Sequence, residues 1–254
     1  MMHVKAPSPH SCQTREEAGF RVPASLAGAA PGEAGLGANL ERLSPEDIYR
    51  NLMEACALGC DAFDAHVVAS ILAVSSADAG TGAPRQTASA GLSGVQISPL
   101  IEQFFPKAAA WRLFGLSESV ERDAGEACLL ELLERCTTSR EPFEMLLAAM
   151  IARRAERPNH LWQDLGLRHR RELSWLMERH FPILAQRNVR DMKWKKFLYR
   201  VICRDEGYSI CTAPTCSECS DFDNCYGEED GESLLARNRH AEERATTPAA
   251  TGSA

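Results

Sequence analysis

The stretch Val189-Arg190-Asp191-Met192-Lys193-Trp194-Lys195-Lys196-Phe197-Leu198-Tyr199-Arg200-Val201-Ile202-Cys203-Arg204-Asp205 decides the fold class. Trp194, Phe197, Leu198, Val201 and Ile202 recur at the spacing that lines up one side of an α-helix, whereas Lys193, Lys196, Arg200 and Arg204 fall on another. The pattern predicts a helix over about 189–205 with one side that packs and one that is cationic.

The same period recurs upstream. Ser44-Pro45-Glu46-Asp47 combines a cap-type serine, a proline at the first helical position and two acids in the first turn, which marks a helix start. That helix runs toward Gly59 with Ile48, Leu52, Ala55 and Cys56 on one face, and Phe63, Val67, Val68, Ile71 and Leu72 repeat the spacing in the next segment. Residues 77–94 turn to Ala, Gly, Ser and Thr with Pro84, the chemistry of a loop or hinge. Helical patterns return from Ser98 through Phe114. They continue in the stripes Leu129, Leu130, Leu132, Leu133 and Phe143, Leu146, Leu147, Met150, Ile151. A short helix follows Pro158 and ends at Gly166 as its left-handed cap. The next helix turns Leu173, Leu176 and Met177 inward and Arg170, Arg171, Glu172 and Glu178 outward, and stops before Pro182. No strand-period run, βαβ alternation or internal repeat is present, so the fold class is all-α.

Composition sets the bounds. Of 254 residues, 44% are hydrophobic and 25% charged, enough to bury a sizeable core. A net charge of -7 argues against a general nucleic-acid binder. The longest apolar run, 67–74, is far short of the ~20 residues that span a bilayer, so no membrane partner is expected. Residues 1–20 hold no apolar core of the length a secretory signal needs, which points to the cytoplasm. The expected organisation is a disordered tail over 1–40, a helical domain over 41–232, and a second disordered tail over 233–254.

Ten cysteines in such a chain read as reduced thiols and metal ligands before disulfides. Cys56, Cys60, Cys128 and Cys136 fall in or beside amphipathic stripes and read as core or helix-end thiols. Cys56 and Cys60 also have the i,i+4 spacing that places two sulfurs on one helical face. His160, His169 and His180, beside helix ends or on charged faces, read as ordinary hydrogen-bonding histidines.

Immediately after the cationic helix comes a different chemistry. Cys211, Cys216, Cys219 and Cys225 stand at spacing C-x4-C-x2-C-x5-C in a polar loop that offers the sulfurs little to pack against. Thiolates are soft anionic ligands for zinc, copper(I) and iron-sulfur clusters. Structural zinc sites favour paired short knuckles, and only one C-x2-C pair is present. The x4-x2 start matches the first three ligands of the plant-type ferredoxin pattern, with Cys225 closing the set locally, so the spacing favours a cluster over zinc. Charge flips at the same point: seven Lys/Arg and one acid lie between 187 and 204, nine acids and no Lys/Arg between 205 and 232. Order in this loop is therefore expected to depend on metal. The cationic face, including Lys193, Lys195, Lys196 and Arg200, suits an oxyanion or an acidic partner as well as plain solvation.

The run 160–167, then 192–200, then Cys203 and Glu206-Gly207, then the four-cysteine motif ending in Cys225-Tyr226-Gly227, closely resembles the NifQ family of nitrogenase accessory proteins. The resemblance is strongest over about 160–228 and compatible from about 44. It implies a cytoplasmic molybdenum carrier, not a turnover enzyme, that holds an iron-sulfur cluster with molybdenum derived from molybdate. Such a carrier donates the metal during assembly of the iron-molybdenum cofactor, with the nitrogenase iron protein and the NifEN scaffold as partners. The ligands carried over are Cys211, Cys216, Cys219 and Cys225, with Cys203 as an auxiliary candidate. Tyr226 stands where the family commonly has Phe. The alternative is a protein-interaction or regulatory protein in which zinc or an iron-sulfur cluster only shapes a docking lobe. No phosphate loop, nucleophile motif or paired-carboxylate helix supports an enzyme.

Overall fold

The structure, a computed structural model, describes residues 43–78, 85–108, 114–205, 225–226, 229, 231 and 233–235. It is predominantly helical. In chain order the elements are α1 (Pro45–Glu54), α2 (Ala62–Ala77), β1 (Arg85–Gln86), a 3-10 turn (Thr87–Ala90), α3 (Gly94–Phe104), β2 (Phe114–Gly115), α4 (Ala124–Arg135), α5 (Pro142–Ala155), α6 (Leu161–Asp164), α7 (Arg170–His180), α8 (Pro182–Arg187) and α9 (Trp194–Asp205). The tail expected over 1–40 and residues 236–254 lie outside the described residues. Leu234 and Leu235 fall inside the stretch expected as a tail from 233, and both lie against the core. No helix among the described residues is long and apolar enough to cross a membrane.

Most helices begin where their capping residues dictate. The Ser44 side chain accepts the Asp47 N–H, Asp61 accepts the N–H groups of Phe63 and Asp64, and Asp123 accepts that of Glu126. α2 is the central element: every residue from Asp64 to Ser76 is buried, so it is enclosed on all sides instead of presenting one stripe. α1 packs on it, α5 packs on α4, and α9 leans on α4. Ile48, Leu52, Ile71, Leu72, Leu129 and Leu133 are almost wholly buried, each contributing about 1.5–3 kcal/mol of transfer free energy.

Charged rungs cross this core. Glu172 of α7 meets His66 Nε2 of α2 at 3.2 Å, and Tyr49 of α1 meets His66 Nδ1 at 2.9 Å. His180 Nε2 lies 3.0 Å from Asp64, with its Nδ1 facing Glu144 of α5. Arg154, buried in α5, donates to Asp78 and to the Asp164 carbonyl. These pairs satisfy polar groups that burial would otherwise leave costly.

Three expectations are corrected. The segment after Ala77 is not all loop: Arg85–Gln86 pairs in parallel with Phe114–Gly115, so 114–115 is extended and not helical. Behind the pair, the Thr87 hydroxyl accepts the Ser117 N–H while the Ser117 hydroxyl accepts the Ala88 N–H. α3 begins at Gly94, before Ser98, because Ser93 and Gln96 form a capping box. α7 stops before Pro182 as expected, and Pro182 opens a separate short helix, α8, that was not expected. α9 begins at Trp194 and not Val189: Asn188 bonds both backbone groups of Met192, and Asp191 sits at φ 53, outside the helical region.

Candidate metal centre

The inward stripe of α9 is as expected, with Trp194, Phe197, Leu198 and Val201 buried. Its start is the anchor of the cysteine segment: the Lys193 N–H donates to the Cys225 carbonyl at 2.8 Å. Cys225 and Tyr226 are half-buried and lie against the core. Cys211, Cys216 and Cys219 lie outside the described residues. Cys203 sits half-buried on α9, two residues before the helix ends.

A second clamp holds the chain just past Cys225. Arg170, at the start of α7, donates from Nε to Glu229 at 2.8 Å and from one terminal nitrogen to Asp191 at 2.5 Å. It also reaches the carbonyls of Asp191 and Met192. Glu229 is only 3% exposed and faces His160 Nδ1 at 3.4 Å as well. Burial pushes the Arg170 guanidinium down, but its bonds and charges to Asp191 and Glu229 more than offset that, and its pKa is raised overall. One guanidinium thus joins α7, the turn before α9 and the segment that follows the last cysteine.

Beside this junction is a cleft of about 230 Å³. Arg187, Arg190, Arg200 and Arg204 line it with Asn188, Phe197, Val201 and Tyr226, the residue next to Cys225. Four arginines thus contribute to the lining of one cleft, and arginine is the side chain that recognises oxyanions by paired N–H donors.

The predicted cationic face therefore divides. Lys195 is not available to a ligand: its Nζ donates to Asp164 and to the Arg157 carbonyl, tying α9 to α6. Burial depresses its pKa, with Asp164 holding it up in part. Arg200 lines the cleft, as do Arg187 and Arg190, which precede the helix. His180 makes the ordinary hydrogen bonds expected of it, to Asp64 and Glu144, His160 Nδ1 faces Glu229, and His169 packs edge-on to Trp175 with ring centres 6.3 Å apart. Sequence reasoning turned Arg170 and Glu172 outward, yet Arg170 clamps Glu229 and Asp191 and Glu172 is buried against His66; Glu229 was not singled out. Glu229 is one acid in an acidic run, and nothing in spacing alone marks it as the buried one.

A family model, NifQ, matches residues 67–227. The chain is 40% identical over 173 residues to Protein NifQ homolog of Sinorhizobium fredii, covering 67% of this chain and 75% of that relative. It is 36% identical over 145 residues to Protein NifQ of Rhodobacter capsulatus, covering 56% and 78%. With Protein NifQ of Azotobacter vinelandii it shares 40% identity over 89 residues, covering 35% and 46%. No solved structure matches the chain.

Proposed function

The chain belongs to the NifQ family, and on that premise we propose that it is a molybdenum carrier of nitrogen fixation. In this reading Cys211, Cys216, Cys219 and Cys225 hold an iron-sulfur cluster, with molybdenum as cargo that passes on to iron-molybdenum cofactor assembly. Its partners are the nitrogenase iron protein and the NifEN scaffold, and it works in the cytoplasm without a turnover reaction of its own.

The observation that carries this reading is the position of Cys225. Its carbonyl is fixed to the start of α9, and its neighbour Tyr226 forms part of the arginine-lined cleft. The last cysteine of the motif is thus next in sequence to a residue lining the arginine cleft, and arginines suit a tetrahedral oxyanion such as molybdate. The donor set fits the cluster: thiolates are the ligands iron-sulfur clusters take, and C-x4-C-x2-C is a spacing they use. When bound, the cluster supplies sulfide bridges through which a second metal is held. The residues of the chain do the rest: the thiolates hold, the cleft arginines attract and orient the oxyanion, and Arg170 with Glu229 keeps the segment docked.

Growth on dinitrogen tests the role. A Cys216→Ser strain is expected to fail with scarce molybdate and to recover with excess, because excess molybdate bypasses delivery. Equal growth at both levels contradicts donation and favours the docking-lobe alternative.

A further inference from the structure

Cys56 and Cys60 do not lie on a helical face as their spacing suggested, because α1 ends at Glu54 and α2 starts at Ala62. The chain between them turns back through Ala57, Leu58 and Gly59. The Cys56 N–H donates to Met53 at 3.2 Å, the Ala57 N–H to the Phe104 carbonyl of α3 at 2.8 Å, and the Cys60 N–H to the Ala57 carbonyl at 3.3 Å. Gly59 takes the left-handed step at φ 86, and Leu58 stands wholly in solvent. The result is that the two half-buried sulfurs meet at 2.6 Å across the turn.

That separation discriminates between two uses of a thiol pair. A tetrahedral metal ion bound by two thiolates at about 2.3 Å each holds its sulfurs about 3.7 Å apart. Joining them covalently requires about 2.05 Å. The turn brings the two sulfurs nearer the spacing of the bond than that of a shared cation.

We propose that Cys56 and Cys60 form a reversible dithiol-disulfide pair that exchanges with low-molecular-weight disulfides of the glutathione type. The pair lies before the span matched to the family and apart in sequence from the four-cysteine motif. In the exchange, one cysteine of the pair, as its thiolate, attacks one sulfur of glutathione disulfide and expels the first glutathione as its thiolate. The other cysteine then loses its proton, and its sulfur attacks that of the first and expels the second glutathione. The two protons from the protein thiols end on the two glutathiones. One S–S bond has formed and one has broken, so the protein is oxidised by two electrons and the glutathione disulfide reduced by two. Burial, then the hydrogen bond and charge of Cys60, push the Cys56 thiol up to about 11.

Trypsin isolates the pair, since the peptide from Asn51 to Arg85 contains both cysteines and no other. The full chain is incubated with glutathione disulfide under anaerobic conditions, quenched in acid, alkylated, digested and weighed. The expected peptide has lost two hydrogens, carries no glutathione, and regains two alkylatable thiols after dithiothreitol. Recovery with both thiols alkylated, or with glutathione retained on either sulfur, overturns the proposal. In Cys56→Ser or Cys60→Ser a glutathione adduct is expected to accumulate on the cysteine that remains, because its resolving partner is gone. Absence of an adduct from both variants overturns the proposal too. Metal loading of the four-cysteine motif is not part of the readout, so the result stands independently of the carrier function.

Discussion

Gly166 shows what a single position reveals in sequence and what it hides. Its role as a left-handed helix end is readable from its place after an apolar run, and the structure has it at φ 73. Its second role is not readable: a Cβ there would lie 2.7 Å from the Ser70 carbonyl oxygen and 2.7 Å from Val74 Cγ1, so α2 passes against its bare backbone. Gly59, at φ 86, has nothing within 4 Å of the same added atom. Gly166→Ala is therefore expected to cost about 2–4 kcal/mol, combining backbone strain with overpacking. Gly59→Ala, with strain alone, costs about 1 kcal/mol. Urea unfolding of the two variants checks the ranking, and equal losses would contradict the close approach. Lys195 makes the same point for charge. Composition groups it with the cationic face, yet its partner Asp164 is distant in sequence, and only the fold reveals the pairing.

At the scale of elements, helices with their own caps and stripes were legible, and those set by neighbours were not. α1, α4 and α5 follow from local signals. α8, the late start of α9 and the β1–β2 pair depend on Asn188, Asp191 and Ser117 meeting groups elsewhere. The rungs joining α2, α5 and α7 also depend on tertiary contact, and they set a pH dependence. Burial pushes the carboxyls of Glu144 and Glu172 up, but hydrogen bonds more than offset it. Glu144 accepts from Ser139, Arg140 and His180; Glu172 accepts from His66 and the Arg168 N–H. Both pKa values are lowered on folding. The unfolded chain then takes up protons more readily, so the stabilisation is complete above the ordinary glutamate value of about 4.3 and is lost as pH falls through the folded values. Denaturant unfolding is expected to give near-constant stability from about pH 7 to 5 and a fall below about pH 4. Glu144→Gln should flatten that fall, and an acid limb as steep as the parent's would refute the assignment. Arg170→Ala is expected to cost about 1–3 kcal/mol, because it removes a charged bond from the nearly buried Glu229. It should also release the segment around Cys225, seen as faster amide exchange at Cys225 and Tyr226. Unchanged exchange there would exclude the clamp.

Over the whole molecule, an arginine-lined cleft, the fixed Cys225 and the acidic residue Glu229 lie about the junction of α7 and the start of α9. The sequence made two of these visible, as the four-thiolate spacing and the charge reversal after Arg204. It did not make the cleft visible, because Arg187 and Arg190 lie outside the helical stripe that drew attention to Arg200 and Arg204. If order in 206–224 follows metal, a glutamate-directed protease should cut after Glu218 readily in chelated protein and at least tenfold more slowly in loaded protein. Equal cutting rates would separate metal from order. The central claim, that the four cysteines hold an iron-sulfur cluster carrying molybdenum, is tested most directly on the full chain taken from nitrogen-fixing cells supplied with molybdenum. Anaerobic metal analysis with electron paramagnetic resonance is expected to find iron, sulfide and molybdenum together, and to lose all three in Cys216→Ser. Stoichiometric zinc with neither iron nor molybdenum would contradict it.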